Sequence, residues 1–158
     1  MPLSVRARRL AYRAAYRLLQ VVWFVLRPQV SGVKCLITHG DHILLVRHTY
    51  GPRAWDLPGG TMRRGETPLG TARREMAEEL GIEGADWIDA GQVHGRESRR
   101  NDLIYCFATE LPGLEVTPDP VELATAQWFP QGDLPTDLAR YVRPILTSVG
   151  SPKPGARA

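Results

Sequence analysis

Only two of the 158 residues are cysteine. Cys35 and Cys106 each stand alone in an apolar, strand-like run with no CxxC pair, which excludes a disulfide scaffold and a thiol redox motif and predicts two buried thiols. Long hydrophobic runs are also missing. The uncharged stretch from Leu18 to Leu26 covers nine residues, well short of the roughly 20 that a spanning helix needs, and no small-residue cleavage site precedes Arg27-Pro28. Neither a membrane span nor a signal peptide is expected, and a reducing cytoplasm is the expected compartment. No segment repeats, and at this length and 43% hydrophobic content one domain with a single core is the default.

A further absence is local. Residues 1–28 hold no acid but six arginines, Arg6, Arg8, Arg9, Arg13, Arg17 and Arg27, so the other 14 basic residues face 17 acidic ones and carry −3 of the total +3. On a helical wheel Arg6, Arg9, Arg13, Arg17, Gln20 and Arg27 form a narrow polar stripe, while Leu10, Leu18, Val21, Val22, Val25 and Leu26 cover much of the rest. Arg8 and Phe24 break the pattern. Such a helix is expected to hide its apolar side. It packs on the rest of the chain or on a second copy in a homodimer, or it lies peripherally on an anionic membrane surface; nucleic-acid binding is the least favoured of these readings.

What is present is concentrated between Gly60 and Ile82. Thr67 suits an N-cap, Pro68 the first helical position and Gly81 a left-handed terminus, which predicts a helix over Pro68 to Leu80. Leu69, Ala72, Met76 and Leu80 give it an apolar stripe. At about 100° per residue Glu75, Glu78 and Glu79 share one face. Their mutual repulsion points to a hard divalent cation in front of them. The preceding Trp55-Asp56-Leu57-Pro58-Gly59-Gly60 is a turn whose glycines let the backbone approach a ligand.

Gly60, Glu66, Arg74, Glu75, Met76, Glu78, Glu79, Gly81 and Ile82 fall at the spacing G-x5-E-x7-R-E-hydrophobic-x-E-E-x-G-hydrophobic, which resembles the Nudix box at every fixed position. The resemblance implies an α/β Nudix fold, a mixed β-sheet sandwiched between helices, running from about Val30 to Arg143. It implies hydrolysis of a diphosphate bond in a small molecule, with Mg2+ or Mn2+ as cofactor, in a nucleoside diphosphate linked to another moiety. Glu78, Glu79 and the Gly59 carbonyl would be metal ligands, Glu75 a ligand or the group that activates water, and Gly60, Glu66 and Arg74 supporting residues. A membrane-surface enzyme acting on a lipid or isoprenoid diphosphate, or a non-catalytic nucleotide-binding module, are the alternatives.

A late loop often supplies another acid in this family, and Glu122, six residues before Trp128, is the candidate. Some members carry that acid three residues before the tryptophan, where this chain has Thr125. Arg47, Arg96 and Arg100 are candidate phosphate contacts, with Arg53 and Arg99 beside them. Trp55 and Tyr50 either stack on a base or pack, and His48 and His94 are either proton-transfer groups or packing residues. Motifs of the dedicated ADP-ribose or coenzyme A branches are not evident.

Residues 1–28 are expected to form a helical extension, 29–149 the Nudix domain and 150–158 a flexible tail. Within the domain, Val33–Ile37 and Ile43–Arg47 read as a hairpin around Gly40-Asp41, with strands near Ala85–Val93, Leu103–Thr109 and Trp128. Val116 to Pro120 reads as an ordered loop, and Thr136 to Thr147 as a short closing helix.

Overall fold

The computed structural model describes the backbone of residues 5–26, 30–97 and 100–149, and side chains within them except near the breaks. The expected tail at 150–158 lies outside the described residues. Helix α1 (Val5–Leu26) precedes the hairpin of β1 (Val30–His39) and β2 (His42–His48), followed by α2 (Pro68–Leu80), β3 (Ile88–Glu97), β4 (Arg100–Glu110), β5 (Leu123–Pro130) and α3 (Val142–Val149). The five strands form one sheet in the order β3-β4-β1-β2-β5. Only β1 and β4 pair in parallel; the other neighbours are antiparallel, so the sheet is mixed as expected.

Strand alternation sorts the core into two layers. Val33, Cys35 and Ile37 of β1, with Leu44 and Val46 of β2, pack under Ala72, Met76 and Leu80 of α2. Leu36, Ile43 and Leu45 face the other way, against Val142 and Ile145 of α3 with Trp55 and Leu57. Both cysteines are buried and free, one in each layer.

The hairpin opens after its turn. β1 and β2 pair only at Thr38↔Ile43 and His39↔His42, and residues 56–62 wedge into the gap between them. On one side Val46 and Asp56 exchange both backbone hydrogen bonds at 2.9 Å; on the other, Cys35 N donates to Pro58 O, Val33 N to Gly60 O and Met62 N to Ser31 O. The glycine turn is therefore held from both sides by the sheet.

Three expected elements change. The closing helix begins at Val142 rather than Thr136, because Asp137 and Ala139 instead exchange backbone hydrogen bonds with Trp55. β3 starts later than Ala85 and runs to Glu97, and β4 begins at Arg100, so the arginine-rich stretch is a close hairpin with Arg96 opposite Asn101 and Glu97 opposite Arg100. The side chains of Arg96 and Arg100, and Ser98 and Arg99 altogether, lie outside the described residues.

The third change concerns α1, whose described side chains, Val5 to Leu19, dock by the polar stripe rather than the apolar side, those of Val21, Val22, Val25 and Leu26 lying outside the described residues. Arg9 Nε donates to Pro120 O at 2.8 Å, Arg13 Nε to Thr49 O at 2.9 Å, and Tyr12 Oη to Glu122 Oε1 at 3.0 Å. Tyr12 and Tyr16 sit against Tyr50. Leu10 and Leu18 are 68% and 67% exposed. The loops beneath the helix present carbonyls and a carboxylate, which arginine and tyrosine donors satisfy and leucine cannot. Among the described residues no helix is long and apolar enough to cross a membrane.

Candidate active site

Helix α2 forms as its punctuation dictates. Thr67 Oγ1 accepts from Gly70 N, Pro68 opens the first turn, and Gly81 sits at φ 67° with its N–H on Ala77 O. The loop at 117–119 then fastens to the end of the helix, Thr117 N donating to Leu80 O and Asp119 N to Glu79 O. This bond brings the late loop, and with it Glu122, up to the acidic helix.

The glycine turn and α2 meet with no room for side chains. At Gly59, φ is 144° and an added Cβ would lie 2.2 Å from the Val33 carbonyl oxygen; at Gly60 it would lie 2.3 Å from the Glu75 carboxyl. Gly59 N donates to Glu79 Oε2 at 3.2 Å. Both glycines are thus required by close approach, and that approach places the Gly59–Gly60 backbone against the carboxylates.

The carboxylates occupy different environments. Glu79 is 1% exposed; burial raises its pKa to about 8, with Lys34 opposing and Glu75 and Glu122 adding to the rise. Glu75 is 9% exposed and also raised by burial, against the pull of Arg74. Glu78 is the open one. Arg74 lies among them: Nη1 donates to Glu75 Oε1 at 2.7 Å and to Glu78 Oε2 at 3.1 Å, while Nε and Nη2 hold both oxygens of Glu66 at 2.6 and 2.9 Å. Glu66 also accepts from Thr71 Oγ1 and Arg63 N. Arg74 foremost, then Arg63 N–H, holds the Glu66 carboxyl down at about 2, and the Glu66 bond leads in raising Arg74. Glu66 is therefore the counter-ion that orients Arg74, and Arg74 in turn orients two carboxylates of the acidic face.

Among the described residues no three His, Cys, Asp or Glu side chains are already spaced to hold a metal ion. The donor set nevertheless suits a hard divalent cation: three carboxylates on one helix face, opposite a turn whose glycines admit no Cβ. Arg74 now bridges Glu75 and Glu78, so convergence on a cation requires side-chain rotation away from that bridge. Where a cation is held, Glu75, Glu78, Glu79 and the Gly59 carbonyl are the groups that fit it.

The surroundings hold two groups that the sequence reading passed over, Lys34 and Tyr12, beside His48, which it named. Lys34 Nζ contacts Asp56 Oδ2 at 2.6 Å and Leu57 O at 2.9 Å, a half-buried pair beneath Glu79. The single polar position within Val33-Lys34-Cys35-Leu36-Ile37 was its only sequence signal. His48 Nδ1 lies 3.9 Å from Glu79 Oε1. Burial and Lys34 lower His48 to about 4, so at neutral pH this contact is not an ion pair. Tyr12, from the extension, reaches Glu122.

Of the candidate substrate contacts, Arg47 donates to Asp137 and lies 4.4 Å over the ring of Trp55. Trp55 is 7% exposed and meets Phe129 edge-on. It packs rather than presenting a face for stacking, because Arg47 covers its ring and the residue is buried. Thr125 is exposed on β5, while Glu122 faces α1 and adds its charge to Glu75 and Glu79.

Comparison with known proteins shows the family. A "NAD-capped RNA hydrolase NudC" of Stutzerimonas stutzeri (strain A1501) is 29% identical over 138 residues, 80% of this chain and 49% of that protein. The human "NAD(P)H pyrophosphatase NUDT13, mitochondrial" is 33% identical over 116 residues, 72% of this chain and 33% of that protein. The chain therefore spans a third to a half of the length of these curated relatives. Among solved structures, a MutT NUDIX hydrolase from Burkholderia pseudomallei shares the fold with a TM-score of 0.71 at 24% identity, covering 77% of this chain and 98% of that one. A family model described as NUDIX domain matches residues 28–149, and the chain belongs to the NUDIX family.

Proposed function

We propose that the chain hydrolyses the diphosphate bond of a nucleoside diphosphate linked to another moiety, with Mg2+ or Mn2+ as cofactor. The observation that carries the reading is the packing of the Gly59–Gly60 turn onto Glu75 and Glu79, which sets that backbone against two of the three carboxylates of the helix face. The printed names of the two relatives, hydrolysis of NAD-capped RNA and of NAD(P)H, support a substrate of this class.

A bound divalent cation would neutralise phosphate oxygens and acidify a bound water. The chain's own groups do the rest. Glu78 holds charge toward the site, Glu79 would do so once a bound cation displaces its proton, Glu75 is placed to hold or accept a proton, and Glu66 through Arg74 keeps Glu75 and Glu78 oriented. Glu122 adds its charge to those of Glu75 and Glu79 from the late loop. The test is product release across a panel of nucleotide and isoprenoid diphosphates with Mg2+ and with Mn2+, for the native chain and Glu78→Gln. Turnover lost in the variant supports the reading; turnover that persists unchanged refutes this role for the box.

A second reading, action at an anionic lipid surface, draws on the exposed Leu10, Leu18 and Leu19 of α1. Flotation with phosphatidylserine vesicles tests it, since Leu10→Glu/Leu18→Glu would abolish the association.

A further inference from the structure

We propose that α1 and the segment 47–53 form a subsite for an additional phosphate group, carried by the part of the substrate beyond the scissile diphosphate. Two adjoining chambers, of about 460 and 320 Å3, lie between α1 and this segment and share Arg13, His48, Thr49 and Arg53 in their walls. Arg17 completes the larger and Arg9 and Arg47 the smaller. Among the described residues no carboxylate lines either one.

Five guanidinium groups around a common space repel one another unless an anion lies between them. Of the five, only Arg47 has a carboxylate partner among the described residues, Asp137. Arg9 and Arg13 each place one N–H on a backbone carbonyl, and a guanidinium has five such donors in a planar fork matched to phosphate oxygens. Two residues that line the smaller chamber each keep a buried nitrogen with no hydrogen-bond partner, Arg47 Nε and His48 Nδ1.

The position suits a substrate rather than an isolated anion site. His48 lines both chambers and its Nδ1 stands 3.9 Å from Glu79 Oε1, so the basic cleft opens one side chain away from the acidic helix. A ligand laid along it would carry its diphosphate toward α2 and its further phosphate toward α1. The extension thereby becomes one wall of the binding cleft, which accounts for its docking by arginines with leucines left outside.

This assignment rests on the diphosphate reading for the meaning of the cleft, but its first test does not require turnover. Calorimetric titration of the full chain with inorganic tripolyphosphate in EDTA would compare the native protein, Arg17→Ala/Arg53→Ala, and Arg6→Ala/Arg8→Ala, which removes the same charge from exposed positions of α1 that line neither chamber. Thermal unfolding checks that each variant is folded. The expected result is binding weakened at least tenfold by the first pair and less than threefold by the second. Equal weakening by both pairs, or no binding to the native chain, overturns the subsite. A second arm measures kcat/KM for paired dinucleotide diphosphates with and without a 2′-phosphate. The native preference for the phosphorylated member should fall at least tenfold in Arg17→Ala/Arg53→Ala, mainly through KM; an unchanged preference counts against the proposal. If neither member is hydrolysed, the hydrolase reading fails while the titration still decides the subsite.

Discussion

Replacing Glu79 with glutamine should stabilise the metal-free protein, and only at higher pH. The folded carboxyl has its pKa raised from 4.5 to about 8 by burial, so the folded state holds its proton more tightly than the unfolded chain. Stability from this group is then complete below pH 4.5 and is lost as pH climbs through about 8. At about 1.4 kcal/mol per pH unit the full loss approaches roughly 5 kcal/mol, of which about 4 falls between pH 5 and 8.5. Glu79→Gln keeps the acceptor for Gly59 N–H without the charge. Urea unfolding in EDTA at pH 5 and pH 8.5 should show the variant gaining a few kcal/mol on the native chain between the two conditions. Other titrating groups cancel in that difference. An advantage of the same size at both pH values would refute the claim that burial keeps this carboxyl protonated.

The two glycines should respond differently to alanine. Gly59→Ala drives its Cβ into the Val33 backbone at a positive φ, which should cost several kcal/mol in denaturant unfolding. Gly60→Ala meets only the movable end of Glu75, so the melting temperature should change little while any hydrolysis falls at least tenfold. Arg74→Ala leaves Glu66, Glu75 and Glu78 without their shared donor, and unfolding at pH 7 should show a loss of about 2–3 kcal/mol. Tyr12→Phe deletes the bond to Glu122; amide exchange in α1 should speed up about three- to tenfold, equivalent to about 1 kcal/mol.

Local signals in the sequence proved the most legible. Thr67, Pro68 and Gly81 bounded α2 because caps and left-handed glycines are decided by neighbours within four residues. The apolar runs at Val33–Ile37 and Ile43–Arg47 likewise marked the hairpin of β1 and β2. What stayed hidden depends on distant partners. Residues 137–139 leave the helical pattern for backbone bonds to Trp55, more than eighty positions away, and Lys34 shows its use only once Asp56 lies beside it. The apolar face of α1 suggested the buried side, yet the carbonyls of Pro120 and Thr49 selected the other. An amphipathic pattern records which face differs from its opposite, not which one a particular surface will choose.

The way α1 is fastened bears on how such an extension can persist while the sequence drifts. Two of the hydrogen bonds that hold it end on the backbone oxygens of Pro120 and Thr49, groups that every amino acid supplies. Substitutions at those two positions keep the acceptors, so descendants could vary the rim of the cleft without loosening the helix. Glu122 is different, because its hydrogen bond to Tyr12 is made by a side chain and a single codon change would remove it. Selection on the candidate late acid and selection on the helix's attachment would thus act on the same residue.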